Sequence, residues 1–344
     1  MGAPGLPPEA RIRTLAVFFV AALPPMCDRG GGYEPVYGVD SGAASDGEAD
    51  LPPHIAAGDA LSDEGWDRSS AADVCAVWTR ARAARSEGAW SGRADECRTG
   101  DNAVGRAYAL HEVNLTRWLA GLPDRVETDP DLDYATQQCA VMMHGQGALS
   151  HTPPGDWACF TSRGAVAAEA SLLASAPAVA AVDLYLIDKG HPDTLGHRRW
   201  LLSNTLETTG IGTTNQFSCL WVVDGSGEDA GLPWVAWPPP GPIPAELLRP
   251  SELSSLGLDD TGWTVQSDAF DLSGGTARVW EDGVERPVQT WDLAPWVGSR
   301  SALAFAPQGW ESRAGAVYDV RIQGGGTTIE YRVEPTDCGA TSAR

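Results

Sequence analysis

Near residue 207 the apolar pattern of this 344-residue chain changes period, and that change limits the fold more than any other feature. Before it, apolar residues recur at helical spacing. Ser70 predicts a helix through Cys75, Trp78 and Arg82. A second helix opens at Asp101, carries Val104, Tyr108, Leu115 and Trp118, and closes at Gly121-Leu122-Pro123. A third starts at Asp129-Pro130, a cap followed by a first-turn proline, and stops at Gly145 or Gly147. Residues 165–174 and the stretch after Ser175-Ala176-Pro177 read as two more. Beyond 207 the period shortens, with strands expected at 210–212, 217–223 and 234–237. Alternation continues at 268–272, 277–280, 284–291, 301–305, 317–322 and 327–333, with hairpin turns at Asp282-Gly283 and Gly324-Gly325-Gly326. Five prolines within residues 238–244 predict a stiff extended linker and a domain boundary. The expectation is an α+β chain. Helices cover a small sheet over 66–237, and an immunoglobulin-like β-sandwich follows over 245–344.

Residues 1–27 read as a signal peptide, because Arg11 and Arg13 precede an apolar run at 15–23 that is too short to span a bilayer. Cys27 is a candidate for lipidation. The segment Leu23-Pro24-Pro25-Met26-Cys27 looks like a bacterial lipoprotein signal, although Met26 stands where a small residue is wanted. Residues 28–65 read as a disordered acidic linker, with nine acids against one arginine over 28–64. A formal net charge of −22 repels phosphate backbones and anionic headgroups. Nucleic acid is thereby excluded, and a membrane is approached only through a lipid anchor. The six further cysteines, Cys75, Cys97, Cys139, Cys159, Cys219 and Cys338, suit three disulfides in an extracellular or cell-envelope location. Six cysteines allow 15 connectivities, of which Cys75–Cys97, Cys139–Cys159 and Cys219–Cys338 join sequence neighbours. None has C-x-x-C spacing.

Most histidines fall in the middle of the chain. His151 sits in a loop past the third helix, and His197 lies in Gly196-His197-Arg198-Arg199, with Asp188 and His191 just before it. Glu169 interrupts an alanine-rich helix, where an ionised carboxylate is costly without a partner. Two neutral imidazoles with carboxylates suit a divalent ion, zinc above all, with positions left open for water. Without metal the same groups can move protons, or can simply pair to bridge loops over the sheet. Ser150 beside His151 makes no triad by adjacency. His111 and His144 read as surface or capping residues, His54 lies in the acidic linker, and one of Arg198 and Arg199 is expected to pair with an acid. Trp263, Trp280, Trp291, Trp296 and Trp310 invite a glycan-binding reading, although core packing is the commoner use of tryptophan in a sandwich.

One ordered set ties these residues together. It runs Asn114-Leu115-Thr116-Arg117, the helix with Ala135 and Cys139, Leu149-Ser150-His151, Glu169, Tyr185-Leu186-Ile187-Asp188, Gly196-His197-Arg198 and Gly210-Ile211-Gly212. Over about residues 100–237 this order resembles the bacterial form of the CAP superfamily, the cysteine-rich secretory, antigen 5 and pathogenesis-related 1 proteins with their SCP-like extracellular domain. The resemblance implies a three-layer α-β-α sandwich whose cleft is lined by His151, Glu169, Asp188 and His197, with zinc or another divalent cation as the implied cofactor. The sequence departs from the family where Ala170 replaces the usual Asn, where Asp188 is shorter than Glu, and where His191 competes with His197. The implied function is a secreted or surface-anchored module that binds a metal, a small molecule, a lipid or an envelope component without turnover; no catalytic residue is assigned. A metal-dependent hydrolase using the same cleft, and an adhesion protein acting through residues 245–344, are the alternatives.

Overall fold

The computed structural model describes residues 60–223 and 227–339. The expected signal peptide, Cys27, His54 and nearly all of the acidic linker lie outside them. Order starts earlier than residue 66. Leu61–Glu64 form a single 3-10 turn with Leu61 in the core, and Ser62 donates through both its backbone N–H and its hydroxyl to the Asp124 carboxylate.

The helices begin and end on local chemistry. In α1 (Ala71–Ala84) the Ser70 hydroxyl accepts from Asp73 N, as the sequence predicts. Helix α2 (Ala103–Ala120) is capped by Asn102 rather than Asp101, and ends at left-handed Gly121. In α3 (Pro130–Gln146) the Asp129 carboxylate accepts from Asp131 N and Leu132 N, and Gly147 closes the helix. Then come α4 (Ser162–Ala170), α5 (Ala178–Ile187) and α6 (Gly196–Leu201). The alanine-rich stretch expected to stay helical to residue 174 breaks at Ala170. Its last part, Ser171–Ala174, is strand β2, fully buried and drawn into a sheet that overrides alanine's helix propensity.

Strand β2 pairs antiparallel with β5 (Ser218–Trp221), which also pairs with β4 (Ile211–Thr213). Helices cover both faces of this small sheet. Leu173 and Cys219 pack with Ala135, Cys139 and Met142 of α3, while Leu172 and Leu220 pack with the residues of α2 and α5. The backbone of α3 comes so close that a Cβ at Gly212 would lie 2.1 Å from the Thr136 carbonyl, which explains the glycine there. A second pair, β1 (Glu127–Thr128) with β3 (Thr208–Thr209), is parallel.

The C-terminal half is built from two sheets. One has the order β11-β12-β8-β6, from Val288–Leu293, Ser301–Pro307, Trp263–Ser267 and Val235–Trp237. The other has the order β10-β9-β13-β14-β7, from Val284–Arg286, Thr276–Glu281, Tyr318–Gly324, Thr327–Thr336 and Gly241–Pro244. Trp263 of the first meets Tyr318 of the second edge-on, 5.7 Å between ring centroids. Short helix α7 (Leu258–Thr261) leads into β8.

Several expectations change here. The proline-rich residues 238–244 are not a free linker, because β7 runs parallel to β14 at the edge of a sheet, the place where missing N–H groups cost least. Strand β6, assigned by the sequence to the first domain, belongs to a sheet of the second. Residues 268–272 are not a strand; the strand is Trp263–Ser267, whose five residues are all buried and show no alternation. Pro287 splits 284–291 into two strands. The described residues fall within one compact unit. A single apolar core joins Val113 and Leu186 with Trp237, Val265 and Val320.

Three disulfides are present, with a connectivity different from the neighbour-to-neighbour set: Cys75–Cys338, Cys97–Cys159 and Cys139–Cys219. Pairing follows spatial proximity rather than sequence order. Helix α1 lies against the chain after β14, and α3 lies on β5. Three intramolecular disulfides suit an extracellular or otherwise oxidising environment. Among the described residues no helix is long and apolar enough to cross a membrane.

Candidate functional site

A turn of eight residues, 188–195, between α5 and α6 builds the centre of the site. Asp188 closes α5 in the left-handed conformation, φ 53°, and the chain folds back so that Leu195 N donates to His191 O at 2.8 Å. His191 Nδ1 and His197 Nδ1 lie 3.0 and 2.9 Å from the same oxygen, Asp188 Oδ1. The other oxygen, Oδ2, accepts from His197 N at 2.8 Å and from Arg198 N at 3.3 Å, so Asp188 also caps α6. The two imidazoles meet edge to face, 4.7 Å between centroids.

Burial alone would raise the Asp188 carboxyl. Hydrogen bonds from His191 and His197, with the charges of His197 and Arg198, outweigh it and hold the group well below the usual carboxylate range. The hydrogen bond to Asp188 in turn raises His191 above the ordinary imidazole value, against its partial burial. Asp188 is therefore an ionised acceptor, and both Nδ1 atoms are donors. In the neutral form of each ring Nε2 keeps a lone pair; the imidazolium form has none.

His151 reaches the same place from a different loop. Cys159, which is tied to Cys97, and the Ala158 N–H, which donates to Gln146 Oε1, hold the loop after α3. His151 Nδ1 lies 2.8 Å from Ala168 O. A carbonyl only accepts, so Nδ1 carries the proton and Nε2 is again the free nitrogen. Glu169, the next residue of α4, is exposed rather than buried in an apolar helix, so the desolvation cost expected from the sequence does not arise.

His151, Glu169, His191 and His197 line one cleft of about 330 Å³ whose apolar wall includes Leu172, Trp200, Val222 and Val223. Val297, from the loop between β11 and β12, completes that wall, so the C-terminal half contributes to the site. Ser171 also lines it, 3% exposed, with a hydroxyl that finds no hydrogen-bond partner among the described residues. Two hollows of roughly twice its volume lie elsewhere, and neither is lined by a histidine.

The sequence-derived quartet is thus partly regrouped. His151, Glu169 and His197 share the cleft, while Asp188 lies beneath it with a fully buried side chain and His191 takes a place at the surface. Asp188, His191 and His197 offer ligand atoms within 4.8 Å of one another and could hold a metal ion. The arginines after His197 also have a different role from the expected ion pair. Arg198 donates to Leu186 O, Ile187 O, Gly262 O and Thr261 Oγ1; Arg199 donates to Thr194 O, Ala294 O, Ser299 O and Ser299 Oγ. Burial lowers both guanidinium groups to about 10, which leaves them charged at neutral pH. They clamp the helix of His197 onto the C-terminal half. No local pattern in Gly196-His197-Arg198-Arg199 announces this, because every acceptor but Thr194 O and the α5 carbonyls lies more than sixty residues away.

His111 and His144 stand apart from the cleft. His111 is buried within α2, and the His144 ring, lowered by burial, lies between Trp90 and Phe217. No family model matches the chain, and neither a curated protein nor a solved structure matches it.

Proposed function

We propose that the cleft binds a divalent cation, zinc above others, in an exported CAP-superfamily-like protein, with His151 and His197 as ligands through Nε2. One observation carries the reading. Three imidazoles around one small cleft have Nδ1 fixed on an oxygen acceptor, so each, in its neutral form, offers an Nε2 lone pair to a ligand. That is the protonation state in which histidine coordinates metal, and the carboxylate behind His197 is the usual outer partner of a metal-bound histidine. His191 and Glu169 stand at the same cleft as further donors. Bound there, the ion would supply Lewis acidity and an attachment point for an anionic or carbonyl group. The unpartnered Ser171 hydroxyl supports a polar occupant, because a buried hydroxyl without a partner is otherwise costly. The three disulfides support an exported location.

Calorimetric titration of zinc into the disulfide-intact protein and into His151→Ala/His197→Ala tests this reading. Loss of binding by about 100-fold or more in the double variant is expected, because two of the ligands are gone. Equal affinity in the two proteins would remove the cleft as a metal site.

A further inference from the structure

The cleft continues beyond its histidines. Trp200 and Val223 belong to its wall and also to that of an adjoining shelf of about 340 Å³, which Trp296 closes on the far side. The other tryptophans of residues 245–344 are engaged. Trp263 is in the core, and Arg278 and Arg321 both lie over the ring of Trp280. Trp291 donates its indole N–H to Pro192 O, while Trp310 stacks on Tyr318. Trp296 is left 73% exposed, the most exposed large apolar side chain among the described residues. Leaving an indole in water forgoes its burial free energy, which a ligand can recover.

This indole stands on a fixed support. Its own residue is left-handed, φ 63°, and two residues on, Gly298 packs where a Cβ would lie 2.4 Å from Arg199 C. Arg199 holds the loop on both sides of the indole through Ala294 O and Ser299 O. The loop backbone that carries Trp296 is therefore tied to the helix that carries His197. The shelf beneath sets polar side chains among an apolar lining. Asp229 and Asp268 supply carboxylates, Ser203 and Thr205 hydroxyls, and Arg300 a cation.

We infer that the shelf binds a neutral glycan chain, with one pyranose ring lying on Trp296 and its neighbour directed into the histidine cleft. A pyranose offers a face of C–H groups, which packs on the electron-rich face of an indole, and a rim of hydroxyls, which need carboxylates, hydroxyls and cations to bond. Trp296 supplies the first and the polar side chains of the shelf the second. A net charge of −22 argues against a polyanionic chain. The inference extends the cleft reading but needs no cation, since every group it uses belongs to the protein.

The test is calorimetric titration of the whole disulfide-bonded protein with the β-1,4-linked hexamers of glucose and of N-acetylglucosamine, and with a heparin fragment, each with and without EDTA. At least one neutral hexamer binds, EDTA leaves its affinity unchanged, and heparin does not bind. Trp296→Ala weakens binding by about tenfold or more, and Trp296→Phe, which keeps a flat ring, recovers most of it. The inference is overturned if neither hexamer binds, if Trp296→Ala binds as well as the unmodified protein, or if heparin binds as tightly as the hexamers. Glycan binding without zinc binding would end the cation reading and leave this one standing; zinc binding without glycan binding would do the opposite.

Discussion

One oxygen of Asp188 receives two imidazole N–H groups while the other caps the helix on which one of those imidazoles sits. The residue thus sets ring orientation, tautomer and helix position together, without reaching the cleft. Asp188→Asn keeps the shape but replaces an ionised acceptor with a neutral amide, and it is expected to weaken zinc binding by about 10–100-fold, the size of an outer-partner effect. Calorimetry reads this; complete loss of binding would make Asp188 a direct ligand. The sequence grouped His151, Glu169 and His197, and they line one cleft. That Asp188 lies beneath the cleft was not legible in the sequence, because the way a side chain points is set by tertiary packing.

At the scale of elements, α6 is six residues long and could not stand alone. Asp188 caps its start, and Arg198 and Arg199 fasten its body to carbonyls on both halves of the chain. Gly298 is where the loop of Trp296 and Val297 touches this helix. Gly298→Ala would place a methyl against the Arg199 backbone at φ 66°, and is expected to cost about 1–3 kcal/mol in denaturant unfolding, with the loop displaced. Unchanged stability would mean that the loop is not fixed to α6. The proline-rich strand β7 is the other revealing element. Its composition reads as a spacer, yet a sheet edge needs fewer backbone donors, so the same prolines are tolerated in a strand.

On the scale of the whole molecule, the halves share a core and the first helix is covalently tied to the end of the last strand, 263 residues away. A chain ending at residue 237 would expose Trp237, now fully buried, and strip β6 of its partner β8; it is expected to fail to fold cooperatively in thermal unfolding. A sharp transition in that fragment would show that the first half is self-sufficient. Replacing Cys75 and Cys338 by Ser should cost about 2–5 kcal/mol of unfolding free energy, since the bond closes a very long loop. Stability should also respond to pH through the acids between α1, α2 and α5. Burial pushes Glu112 up to about 8 despite Arg82, and burial also raises its neighbour Asp183. Because the folded value lies above the ordinary 4.5, the native state holds the proton more tightly, so this contribution is complete at low pH and fades as pH rises towards 8. Glu112→Gln, which mimics the protonated acid, should flatten the fall in stability between about pH 5 and about pH 8.5; an identical slope would remove Glu112 as its source.

What the sequence determined by itself was local: helix starts at Ser70 and Asp129, stops at Gly121 and Gly147, the turns at Asp282-Gly283 and before Thr327, and the mixed α+β class. These depend on backbone dihedrals and hydrogen bonds spanning a few residues, which the residues themselves carry. The disulfide connectivity, the strand at Ser171–Ala174, the union of the two halves and the closing of the cleft by Val297 were decided only by tertiary packing. Each requires groups dozens to hundreds of residues apart to meet. Their meeting is set by which apolar surfaces are buried together, a property of the whole chain that no short stretch encodes.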